Sequence, residues 1–200
     1  MLPWGLTAGF AAGAVLHLLL VVLVWSRPAR QGRRRLDRLF LALFSALLLW
    51  HGGNLLALYL APFHGEHRGT LLLFARGLAF AGLSLLPPLL AEVHLAYARL
   101  LPGGPVRMAL YLPLAAAPWG VRAAAGATGI PQGPWTTGFI LYFCAALAVA
   151  IAVNIRLARR AVSGVRLMRV LHVLLAAFFG ALTDACTWAF LLAPGTPALE

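Results

Sequence analysis

The sequence predicts an all-α, polytopic transmembrane helix bundle of about six spans, and three observations carry that expectation. Hydrophobic residues make up 62% of the 200 residues and charged residues only 10%, whereas a soluble domain has about a quarter of its residues charged. The apolar residues fall into windows of roughly 20, the length a helix needs to cross a bilayer core. The sixteen basic residues are all arginine, and they gather at the ends of those windows. A formal net charge of +11 would suit nucleic acid, but charge placed at span ends reads as topology. Nucleic acid is therefore not an expected partner, and the lipid bilayer is.

The expected spans are 4–25, 39–60, 71–100, 108–129, 135–155 and 170–193, in one transmembrane domain covering residues 1–200. The first begins almost at Met1, with no basic region before it and no small-residue cleavage site, so it reads as a retained span. The fourth is interrupted by Pro113, Pro118 and Arg122. Connections of a few residues to a dozen leave no room for a soluble domain. The first, third and fifth connections hold thirteen arginines, and the opposite side holds only Arg68, Arg76 and Arg122. By the positive-inside rule the N-terminus is expected outside, in a multi-pass protein of the bacterial inner membrane. Trp4, Trp25, Trp119, Trp135 and Trp188 lie near span ends, where interfacial anchors belong.

Small residues at intervals of four let a neighbouring backbone approach closely. The first span carries Gly5, Gly9 and Gly13 in such a series, with His17 next, and the sixth carries Gly180 between His172 and Asp184. In the second span His51 and Asn54 are three apart and share a face. Two cysteines, Cys144 and Cys186, lie within apolar spans and have no metal-ligand spacing. Without lysine, a retinal Schiff base is excluded.

The third span is the centre of the chain. Pro87 and Pro88 remove two backbone donors inside it and are expected to kink it, forming a hinge. Beyond them come Glu92, His94 and Arg99. Ionisable residues within a span are costly and are functional candidates by default. Glu92 and Arg99, seven apart, share a face and are expected to pair near the inner interface. Glu92, His94 and His172 are expected to form a polar cluster facing the bundle interior, and Asp184, His51 and Asn54 are further ligand- or signal-site candidates. The loop sequence FHGEHRG holds His64, Glu66 and His67, whose simplest reading is a solvated loop. There is no GxSxG, HExxH, Walker or kinase motif, so no catalytic residue is expected.

The segment LLPPLLAEVHLAYARLLPG resembles the motif in the N-terminal seven-helix membrane region of bacterial sensor histidine kinases, where a proline-containing apolar stretch runs into a histidine-aromatic segment. LALFSALLLWHGGNLLALYL is similar to the helix that precedes it in that family. The likeness covers the first hundred residues and places Trp50, Asn54, Pro87, Pro88 and His94 at the family's recurring positions. It implies a sensor region. The chain departs from the family in having six expected spans and no phosphoacceptor or ATP-binding segment, so kinase activity does not carry over.

The expected function is a membrane-embedded sensory or interaction module of a bacterial signalling system, not an enzyme and without a cofactor. Its expected partners are a signalling kinase domain, another membrane subunit or a second copy of the chain. The alternative is a small redox or pigment-binding subunit in which His17, His51, His94 and His172 ligate haem b or (bacterio)chlorophyll. A small transporter is third, and no inverted repeat supports it.

Overall fold

The computed structural model describes residues 4–26, 34–60, 68–100, 103–112, 114, 132–159, 164 and 170. Among them the elements are five helices: α1 (Trp4–Trp25), α2 (Arg34–Leu60), α3 (Arg68–Tyr97), α4 (Gly104–Tyr111) and α5 (Gln132–Arg159). Four of them are long and apolar enough to cross a membrane, over Thr7–Trp25, Arg35–Leu60, Gly69–Tyr97 and Leu141–Arg159. Most of the expected fourth span and all but the first residue of the sixth lie outside the described residues, and so do His64, Glu66, His67, His172, Gly180 and Asp184.

Helix ends differ from the apolar windows for local reasons. α2 begins at Arg34, five residues before the window, because arginine is a good helix former whose long stem lets the charge reach polar surroundings. Asp37 in its first turn also suits the helix N-terminus. α3 stops at Tyr97, three residues short of expectation. There the Leu100 amide donates to the Leu95 carbonyl at 2.8 Å and the Arg99 amide to the Ala96 carbonyl at 3.1 Å. This is a Schellman motif, with Arg99 at φ 57° in the left-handed slot that glycine usually fills.

The helices are arranged about α3. α2 and α5 pack on it, α4 lies against its end, and α1 packs on α2. The α2–α3 crossing is close because both helices present small residues. A Cβ on Gly53 would collide with the backbone of Ala79 and stand 2.8 Å from the Ala75 carbonyl oxygen. On the other helix, a Cβ on Gly82 would collide with the Ala46 carbonyl oxygen and stand 2.5 Å from the Trp50 nitrogen. Each glycine thus seats the other helix's backbone, the arrangement by which small residues hold membrane helices together. Of the expected stripe Gly5, Gly9 and Gly13, only Gly13 meets a neighbour among the described residues, the ring of His51.

Toward one end of this crossing lies the core: Leu39 and Ala46 of α2 against Leu86, Leu89 and Val93 of α3, with Tyr111 and Phe143 at its edge. Pro87 and Pro88 are fully buried within it, and α3 runs on as helix through both. They leave the Leu83 and Ser84 carbonyls without their intrahelical donors, which a span tolerates where neighbouring helices cover it. On α1, by contrast, Leu16, Leu18, Leu19, Val22 and Leu23 are exposed, the surface expected of a helix facing lipid.

Candidate functional site

Four residues past Pro88, Glu92 is fully buried, with 0% of its side chain exposed. A carboxylate there carries a desolvation cost of several kcal/mol unless it is paired and hydrogen-bonded. Three side chains from two other helices meet it. Arg107 of α4 brings Nε to 2.5 Å from Oε1, and Arg35 of α2 brings Nη2 to 3.7 Å from the same oxygen. Tyr111 of α4 donates its hydroxyl to Oε2 at 2.5 Å. The Arg107 contact is ionic and lacks hydrogen-bond alignment, so Oε1 is held by charge and Oε2 by the phenol.

Local structure explains the convergence. Arg107 and Tyr111 are four apart on α4 and so share its face. The Arg99 turn sets α4 back against the end of α3. The early start of α2 makes Arg35 part of a helix, four residues before the core residue Leu39. Tyr142 of α5 donates to the Leu110 carbonyl, so α4 is tied to α5 as well. Glu92 therefore joins α2, α3 and α4, in the last turns of the apolar window of α3.

The expected Glu92–Arg99 pair is not formed. Arg99 lies beyond the end of α3, exposed, in the left-handed turn, so the seven-residue spacing on one helix face no longer applies. The partners Arg35 and Arg107 were missed because they lie 57 positions before and 15 after Glu92. The one signal for them is that the arginine clusters flank the spans on the same side as Glu92.

The other candidates are placed separately. His94 is half-buried, and its Nδ1–H donates to the Leu90 carbonyl at 2.8 Å. Asn54 donates from Nδ2 to the Trp50 carbonyl at 2.8 Å. His51 sits at the α1–α2 contact against Gly13, with Trp50 and Phe10 around it. His17 stacks on it, the ring centroids 5.0 Å apart and the planes 14° from parallel, while its Nδ1–H donates to the Gly13 carbonyl at 2.6 Å. Two imidazoles that share one haem iron point a nitrogen at it from opposite faces of the macrocycle. Rings lying face to face do not have that geometry, so His17 and His51 as placed do not fit an axial pair.

No protein-family model, curated protein or solved structure matches the chain.

Proposed function

We propose that the chain is a membrane-embedded sensory or interaction module, non-catalytic in itself, in the bacterial inner membrane with its N-terminus outside. The observation that carries this reading is the buried Glu92 carboxylate joining three helices just beyond a buried proline pair. Such a junction suits a two-state element. In one state Arg107 and Tyr111 hold α4 on α3 through Glu92, while Arg35 ties α2 to the same carboxylate. When these contacts separate, that attraction is lost and α4 is released. The proline pair, which leaves α3 two intrahelical bonds short, places the weakest backbone of the helix next to the junction. A partner reading the position of α4 would then read the state of Glu92.

The test is a distance measurement between spin labels on α4 and α5 in lipid nanodiscs. The reading expects two populations in the wild type that collapse to one in Glu92→Gln. A single distance, identical in the wild type and Glu92→Gln, would reject it. Absorption of the purified protein from 400 to 800 nm tests the rival: a Soret or chlorophyll band would replace the sensor reading with the pigment or redox one.

A further inference from the structure

The Glu92 junction is unbalanced in charge. Among the described residues, one carboxylate faces two guanidinium groups whose contacting nitrogens lie 3.7 and 2.5 Å from the same oxygen, which leaves one net positive charge. Neither arginine is used up by Glu92. Their side chains are 49% and 45% exposed, and a guanidinium carries five donors in a planar fork suited to phosphate. Asp37, two residues beyond Arg35, projects in another direction on the helix and does not close the balance.

The surroundings say which anion completes the site. Arg35 begins one apolar window and Glu92 lies near the end of another, so the arginines sit at the depth of lipid headgroups. α4 is two-faced: Arg107 and Tyr111 turn to Glu92, while Met108 and Leu112, one residue further round, are 75% and 72% exposed. A short helix with basic and apolar faces is suited to lying in the bilayer interface, its apolar side among acyl chains. Soluble anions have no use for that apolar side, and a phospholipid does. We propose that Arg35 and Arg107, held side by side on Glu92, bind the phosphate of an anionic phospholipid, whose acyl chains run along Met108 and Leu112. This stands on the membrane placement of the helices and is independent of the signalling reading.

The experiment is native mass spectrometry of the intact chain released from nanodiscs of phosphatidylcholine mixed with phosphatidylglycerol. The wild type should retain phosphatidylglycerol over phosphatidylcholine by about tenfold, the worth of one charge-assisted contact. Arg107→Gln and Arg35→Gln should each lose most of that preference. Arg156→Gln, at the end of α5, should keep it. Glu92→Gln removes the carboxylate that holds the two guanidinium groups side by side and should lower retention, and Met108→Gln, at an exposed position, should lower it even where an arginine variant fails to fold. No preference in the wild type, an equal loss in Arg156→Gln, or unchanged retention in Glu92→Gln and Met108→Gln would each overturn the proposal. So would full displacement of the lipid by millimolar inorganic phosphate, which would make the ligand a soluble anion.

Discussion

Arg107 reaches back past the Arg99 turn to place its Nε 2.5 Å from the Glu92 carboxylate, so the link between α3 and α4 is ionic as well as apolar. Breaking a buried pair by removing one partner typically costs about 3–5 kcal/mol. With Arg107 nearly half exposed and Arg35 still in place, the expected loss for Arg107→Gln is smaller, about 1–3 kcal/mol. Tyr111→Phe should cost about 1–2 kcal/mol, because Oε2 of a buried carboxylate loses its donor. Thermal unfolding in detergent measures both. In a double-mutant cycle, Tyr111→Phe combined with Glu92→Gln should lose at least about 0.5 kcal/mol less than the two single changes together. Strict additivity would mean that the two side chains do not interact.

The helix crossing makes a sharper contrast. Gly53→Ala and Gly82→Ala each place a methyl against the backbone of the facing helix, which does not yield as a side chain does. Each should destabilise by about 1–3 kcal/mol or more, as overpacking does. Gly9→Ala meets nothing within 4 Å and should keep or raise the melting temperature, since alanine is the better helix former. A stable Gly82→Ala protein would show that α2 and α3 are further apart than described.

Arg99 offers a test of backbone conformation without any loss of packing. Its left-handed φ carries a penalty of about 1–2 kcal/mol for a residue with a Cβ. Glycine relieves that penalty and gives back about 0.5–1 kcal/mol through the unfolded chain. Arg99→Gly should therefore be neutral or stabilising by up to about 1 kcal/mol, and Arg99→Val destabilising. Circular dichroism melts of the two variants should rank them in that order. The reverse ranking would remove the Schellman turn from the account.

Topology is tested by labelling. In a background with Cys144 and Cys186 replaced by serine, a cysteine at Arg156 should react with a membrane-impermeant maleimide only after the membrane is opened. Reaction in intact cells would invert the arrangement.

The membrane character of the chain was legible from Leu, Ala and Val in windows of about 20 residues, since a helix is the one local structure that satisfies its own backbone in lipid. Four of those windows are helices long enough to cross. That Glu92 needs partners was legible too, because a lone carboxylate in an apolar run must be compensated somewhere. Its partners were not. Pairing rules along one helix led to Arg99, and the chain leaves the helix at Tyr97 before that rule can act. Arg35 and Arg107 reach Glu92 only because α2 starts early and α4 folds back, and those are relations between helices.

Gly5, Gly9 and Gly13 make the tidier series, yet among the described residues the tightest helix approaches are at Gly53, against Ala75 and Ala79, and at Gly82, against Ala46 and Trp50. Residue type and periodicity, acting through solvation and local hydrogen bonding, determined by themselves that this chain forms apolar helices with a costly charge near one end. Which arginine neutralises that charge, and which glycine admits which helix, depended on distances between segments far apart in sequence. Only the packed helices set those distances.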